Sequence, residues 1–280
     1  MSHMNDTTTK PHPLLTWLKR RRMFFLLLVT LYGVLVVAVY SSQRYLQYFP
    51  SHEDMALAGT ETFQPLKTNA GVFLGYVKEV PTPRKTILFF HGNGGEAIHR
   101  DWVRLLDRHD DINIILAEYP GYGGSPGKPT EEAIFARALE AFDEAQSRYQ
   151  VPILVIGESL GTGVASYVAS KRPAIGLELI APFTSAVDLA SKIYWFIPVR
   201  FLMSDRFDSS RHLQNLTIPL RIVHGTNDEV IPVAHAQKLY ERYPGENKAF
   251  EEIPNFGHND IPTAILNRKE TPRFWELIEQ

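Results

Sequence analysis

The sequence predicts an α/β domain built on a mostly parallel central sheet with helices on both faces, preceded by one membrane-spanning helix. Three observations predict it. From about residue 70 onward, short apolar runs alternate with helical patterns. Near the N-terminus, Met23 to Tyr40 form an apolar stretch without a charge. And one strand-like run turns through Gly157-Glu158-Ser159-Leu160-Gly161 into a segment of small residues that can wind as a helix.

The 280 residues suit one large domain, or one domain with an appendage. Hydrophobic residues make up 44% and charged residues 21%, close to globular averages, so a packed core is expected rather than disorder. The 29 basic and 31 acidic side chains leave a net charge of −2, which supplies no basic field for nucleic acid. The absence of cysteine excludes disulfides, cysteine nucleophiles and thiolate metal sites. The histidines show no metal-ligand spacing and no His-Glu-x-x-His, so neither a metal nor a cofactor is expected.

As a helix, Met23 to Tyr40 spans about 27 Å, enough for a bilayer core when the flanks help. A cleaved signal peptide has a shorter apolar region, and the exit "AVYSSQRY" lacks a small-x-small cleavage site. Lys10, Lys19, Arg20, Arg21 and Arg22 precede the stretch, whereas only Arg44 follows closely. The positive-inside rule then predicts a cytoplasmic basic segment (1–22), a signal-anchor (23–40) and an exported remainder. Residues 41–68 are expected to be a juxtamembrane linker and 69–280 the folded domain.

Within that domain "GVFLGYV" (71–77), "KTILFF" (85–90), "INIILAEY" (112–119), "ILVIG" (153–157), "LELIA" (177–181) and "LRIVHG" (220–225) read as strands, several of them buried on both faces. Residues 130–149 place Ile134, Ala138, Phe142 and Ala145 on one helical face behind Thr130 as N-cap. Residues 233–243 and 271–280 predict two further amphipathic helices. "EYPGYGGSPG" lacks the spacing of a nucleotide loop and reads as a tight strand-to-helix turn.

A serine is a weak nucleophile unless a base takes its proton and donors hold the resulting oxyanion. A sharp turn after a strand exposes its oxygen above the sheet, and the crowding favours glycine at Gly157 and Gly161. No Lys-Ser or Lys-Thr follows Gly161, which excludes a phosphate loop. Asp228 in "HGTNDEVIP" and His258 in "FGHND" follow in chain order behind further strand-like runs, the order of one family of Ser-His-Asp triads. Asp208 and Asp260 are the rival acids. "FFHGNGG" ends a strand in a glycine loop whose amide, with that of Leu160, can form an oxyanion hole; Gly92 permits close backbone approach. His91 reads as a hydrogen-bonder that shapes this loop.

"HGNGG", "EYPGYGGS", "GESLGTGVA", "HGTNDEVIP" and "FGHND" together resemble the α/β-hydrolase superfamily over roughly residues 70–280, above all its membrane-anchored members of depalmitoylase and lysophospholipase type and their bacterial relatives. The resemblance implies an α/β-hydrolase fold with Ser159 as nucleophile, Asp228 as acid and His258 as base. It also implies the backbone amides of Asn93 and Leu160 as the oxyanion hole. Glu158 stands where many esterases carry histidine. The short connection between the Ser and Asp strands implies a small cap, 183–218. Its apolar Tyr194, Trp195 and Phe196 are expected to line a substrate pocket, with sheet packing and contact with the membrane surface as alternatives. The expected activity is hydrolysis of a small-molecule or lipid-like carboxylic ester or thioester through an acyl-enzyme. A serine peptidase or aminopeptidase of the same fold, and a silent membrane-tethered binding protein, are the alternatives.

Overall fold

The structure, a computed structural model, describes residues 13–51, 62–106 and 111–267. Two compact units divide the chain, Met1–Gln43 and Arg44–Gln280. Helix α1 runs Pro13–Gln47, beyond both ends of the span expected from the uncharged stretch. Its portion Trp17–Gln47 is long and apolar enough to cross a membrane. Met23, Phe24, Phe25, Val34 and Val37 are all exposed along it, an arrangement that water disfavours and hydrocarbon does not.

The second unit contains strands β1 (Phe49–Pro50), β2 (Gln64–Lys67), β3 (Phe73–Lys78), β4 (Lys85–Phe90), β5 (Gly94–Gly95), β6 (Ile112–Ala117), β7 (Ile153–Glu158), β8 (Gly176–Ile180), β9 (Leu220–Gly225) and β10 (Lys248–Ile253). Eight of them form one sheet in the order β10-β9-β8-β7-β4-β6-β3-β2, while β1 pairs with β5 alone. The β2–β3 and β3–β6 ladders are antiparallel and the rest of the large sheet is parallel. β1 and β2 fall where a linker was expected, so the folded unit begins well before residue 69. Neither strand has the apolar run that marks the strands crossing the middle of the sheet: β2 reads Gln-Pro-Leu-Lys and buries only Leu66.

β4, β6, β8 and β9 are buried at every residue, because helices cover both faces of the sheet. Helix α2 (Glu131–Tyr149) starts where the Thr130 hydroxyl accepts from the Ala133 amide at 3.1 Å. It packs Ile134, Ala138, Phe142 and Ala145 with helix α3 (Leu160–Lys171) into one core. The opposite core joins Ile87, Phe89 and Ile156 to Val103 and Leu106 of a 3-10 helix, Ala97–Leu106. The cap carries helices α4 (Ala186–Ile193), α5 (Val199–Leu202) and α6 (Ser209–Leu213). Helices α7 (Ala234–Arg242) and α8 (Ile261–Asn267) follow. The helix expected over 271–280 lies outside the described residues.

After β4 the chain crosses to β6 on one side, and then to β7 on the other. The loops leaving the C-terminal ends of β4 and β7 therefore diverge, and a crevice opens where the winding reverses. Those two ends carry the glycine loop and Ser159.

Candidate active site

Ser159 joins β7 to α3 with φ 52° and ψ −117°, left-handed backbone that a non-glycine residue adopts at about 1–3 kcal/mol of strain. The surroundings hold it there. Its amide donates to the Ile180 carbonyl at 2.9 Å, and its own carbonyl accepts from the Thr162 amide and hydroxyl. A Cβ on Gly157 would overlap the Gly161 carbonyl, and one on Gly161 would overlap the Phe90 carbonyl at the end of β4. Side chains at either position would lever α3 off the sheet. Leu160 opens α3 and is buried; its amide is among the first-turn donors that have no partner within the helix.

His258 lies between β10 and α8, and its Nε2 stands 3.0 Å from Ser159 Oγ. Its Nδ1 lies 2.6 Å from Asp228 Oδ2. An ionised carboxylate only accepts, so Nδ1 carries the proton and Nε2 is free to receive one from the serine. Asp228, in the β9–α7 connection, also accepts from the amides of Val230 at 2.9 Å and Ile231 at 2.7 Å through Oδ1. Burial by itself would raise its pKa. Hydrogen bonds from His224, His258 and the Ile231 amide outweigh burial and hold the carboxyl well below the usual carboxylate range. The rivals sit elsewhere: Asp208 caps α6 by accepting from the Arg211 amide, and Asp260 accepts from the Gly257 amide.

The glycine loop passes directly against Ser159, since a Cβ on Gly92 would lie 3.4 Å from Ser159 Cβ. His91 is fully buried at its base and bonds the Gly92 carbonyl at 2.8 Å and Glu118 Oε1 at 3.0 Å. Glu118 in turn accepts from the amides of Ala97 and Tyr119. The Tyr119 hydroxyl donates to the His91 carbonyl at 2.7 Å, and the Tyr122 hydroxyl to the Asn93 carbonyl at 2.9 Å. Beside Ser159, Arg100 Nε donates to Glu158 Oε2 at 2.7 Å and its Nη2 reaches the Gly94 carbonyl. Glu158 is thus engaged as an ion-pair partner next to Ser159.

Ser159, Asp228 and His258 come together from three separate connections, with Gly92, Asn93, Gly157, Leu160 and Gly161 around them. Of the three aromatic residues expected to line a pocket, two are exposed, Trp195 at 80% and Phe196 at 45%, and one, Tyr194, is half-buried. The cap buries Ile197 and Val199 instead. "YWFIP" is apolar on every side, and a segment this short has only one inward face.

Several supporting residues escape sequence reasoning. His224, buried on β9, lies with Nε2 3.3 Å from Asp228 Oδ2 and 2.8 Å from the Ile231 carbonyl. The His-Gly pair closing that strand is its only local signal. Arg100 carries none, because its partner is 58 residues away. Glu118 stands at a strand end before a glycine-rich turn, where a buried acid is a recognisable oddity. Among the described residues no group of three or more His, Cys, Asp or Glu side chains is arranged to hold a metal ion.

A mostly parallel sheet that reverses its winding beside a strand–serine–helix elbow defines a class, and the chain belongs to it: the α/β-hydrolase superfamily. A sequence profile of the alpha/beta hydrolase fold matches residues 85–181, and one of serine aminopeptidase S33 matches residues 199–261. Among individual relatives, alpha/beta hydrolase domain-containing protein 17C of Xenopus laevis is 34% identical over 207 residues, which is 70% of this chain and 63% of that protein. An uncharacterized protein of Mycobacterium tuberculosis is 29% identical over 237 residues, covering 80% of this chain and 83% of that one. Among solved structures, an esterase of Pyrococcus furiosus shares the fold with a TM-score of 0.60 at 16% identity, over 79% of this chain and 96% of its own. A monoacylglycerol lipase of Paleococcus ferrophilus does so with a TM-score of 0.54 at 17% identity, over 73% and 99%.

Proposed function

We propose that the protein is a membrane-anchored serine hydrolase that cleaves a carboxylic ester or thioester through an acyl-enzyme. The observation that carries this reading is the continuous hydrogen-bonded line from Ser159 Oγ through His258 to Asp228. In the forward step Ser159 Oγ bonds to the substrate carbonyl carbon while its proton passes to His258 Nε2. The carbonyl electron pair moves onto oxygen, where the amides of Asn93 and Leu160 receive it. Collapse returns that pair, breaks the bond to the alcohol or thiol, and the leaving group takes the proton from His258. Water then repeats the sequence on the acyl-enzyme. Asp228 orients the imidazole and stabilises its charged form throughout.

The names of the structural neighbours, an esterase and a monoacylglycerol lipase, support ester substrates. The serine aminopeptidase profile over residues 199–261 supports the second reading, a peptidase. Against it stands Glu158: an aminopeptidase needs carboxylates for the substrate's free amine, and the one beside Ser159 is held by Arg100. The test is kcat/KM across acetyl, butyryl, hexanoyl and octanoyl esters, with aminoacyl arylamides alongside. The expected result is a rise with acyl length. Complete burial sets its ceiling, about 0.8 kcal/mol or roughly fourfold per methylene, and the exposed cap aromatics place the gain below it. A preference for arylamides over every ester would favour the peptidase.

The anchor we assign to α1, with the N-terminus cytoplasmic and the hydrolase unit exported. The cations before Met23, against Arg44 alone close after Tyr40, support that orientation. A reporter enzyme that functions only outside the cytoplasm, fused after Gln280, is expected to be active. Activity confined to a cytoplasm-dependent reporter would reverse the topology.

A further inference from the structure

The glycine loop has little of its own to keep it in place. A Cβ on Gly94 would meet no atom within 4 Å, and Gly95 has φ +83°. Gly94 and Gly95 have no side chains of their own to pack, so hydrogen bonds must hold this part of the loop. Many come from an unexpected source, the stretch of chain that directly follows the apolar helix.

The Phe49 amide donates to the Asn93 carbonyl at 2.9 Å, and the Ser51 amide reaches the Gly95 carbonyl at 3.5 Å. These two contacts are the β1–β5 ladder, Phe49 beside Gly94 and Pro50 beside Gly95. The Asn93 side-chain amide donates to the Gln47 carbonyl at 3.2 Å, and the Ser51 hydroxyl to Glu96 at 3.0 Å. The stretch is itself fastened. Arg44 Nε pairs with Asp205 at 3.2 Å, and the Gln47 side chain reaches the Asp205 carbonyl at 3.4 Å. Tyr48 is buried edge-on against Phe207, and the Ser51 carbonyl accepts from the Gly123 amide at 3.3 Å. The side chain of Phe49, by contrast, is 54% exposed, so that residue acts through its backbone.

We propose that residues 44–51 are a positioning strap for the oxyanion loop. By fixing the carbonyl of Asn93 they fix the peptide on its other side, whose amide faces the developing charge, so the site is completed by the segment adjoining the anchor. The inference rests on the ester-hydrolase reading and names residues that act through Asn93 rather than on substrate. Preorganised donors of this kind lose most of their effect when displaced by about 1 Å. The strap therefore acts on kcat more than on KM.

The test compares Phe49→Pro with Phe49→Leu in the full-length, detergent-solubilised chain. Proline removes the one N–H that meets the Asn93 carbonyl; leucine keeps it. The readouts are kcat, KM, the rate constant for fluorophosphonate labelling, and the thermal midpoint. Phe49→Pro is expected to lose about 10- to 100-fold in kcat and in labelling rate, with KM within about threefold of wild type. Phe49→Leu is expected to match wild type. Arg44→Ala, which unfastens the strap from Asp205, should lower kcat in the same sense and serves if the proline variant does not fold. Wild-type kcat and labelling in both folded variants would overturn the strap while the hydrolase stands. Equal losses in the proline and leucine variants would overturn it too, by placing the effect in the side chain. A wild-type protein that neither labels nor turns over any ester would overturn the hydrolase reading and the strap with it.

Discussion

Ser159→Ala is expected to abolish fluorophosphonate labelling and to lower ester turnover by about three to six orders of magnitude, with the fold intact. The loss is large because His258 Nε2 then has no proton to take and no nucleophile to release, while the oxyanion donors alone retain a modest rate over water. The fold survives because the interactions that hold residue 159 in its left-handed conformation are made by its backbone: the bonds to Ile180 and Thr162 do not involve Oγ. Alanine occupies the same strained φ, so the thermal midpoint is expected within about 2 °C of wild type. Labelling kinetics and a melting curve on one preparation check both statements. Ordinary turnover in the variant would remove Ser159 from the chemistry.

Asp228→Asn is expected to lower kcat by about four orders of magnitude, near the loss in His258→Ala, whereas Asp208→Asn and Asp260→Asn leave the site competent. An asparagine can offer an N–H where the aspartate only accepts. His258 would then turn its bare nitrogen toward residue 228 and its N–H toward Ser159, the wrong tautomer for a base. The same substitution removes the acceptor of the His224 contact and weakens the turn held by the Val230 and Ile231 amides, so stability falls as well. The pH dependence follows from the depressed pKa of Asp228. Its folded value lies below the unfolded carboxylate value of about 3.9. Its stabilising contribution is therefore fully present above that value and is lost as pH falls toward the folded one. Melting curves from pH 3 to pH 7 should show wild type gaining more stability than Asp228→Asn as pH rises through the bottom of that range. Steady-state kinetics of the four variants decide the acid; wild-type rates in Asp228→Asn beside a dead Asp260→Asn would transfer the role.

Much of the candidate site is legible in the chain because it is local. A serine elbow needs small residues at two fixed offsets, and Gly157 and Gly161 stand there for a reason visible in the overlaps a Cβ would create. The strands that cross the middle of the sheet announce themselves as apolar runs since both faces are covered. β2 does not, because an edge strand with one buried residue carries almost no pattern. The pocket assigned to Tyr194, Trp195 and Phe196 rested on the segment's hydrophobicity and on its place in a connection at the strand C-termini. Apolar composition says that a segment prefers to leave water; it does not say which of its side chains will be buried.

By itself, then, the sequence determined the apolar N-terminal helix, the alternating α/β class, the nucleophile candidate at its turn and the chain order of the candidate acid and base. Each is read from period, spacing, composition or order along the chain. Only the tertiary structure decided which acid meets His258, that His224 backs Asp228, that Arg100 engages Glu158, and that residues 44–51 grip the glycine loop. Each of these is a contact between segments 30 or more residues apart in the chain, apart from the His224–Asp228 pair within one strand-end turn. Hydrogen bonds over such separations depend on strand order and register, and these emerge only when the whole sheet is assembled around its core.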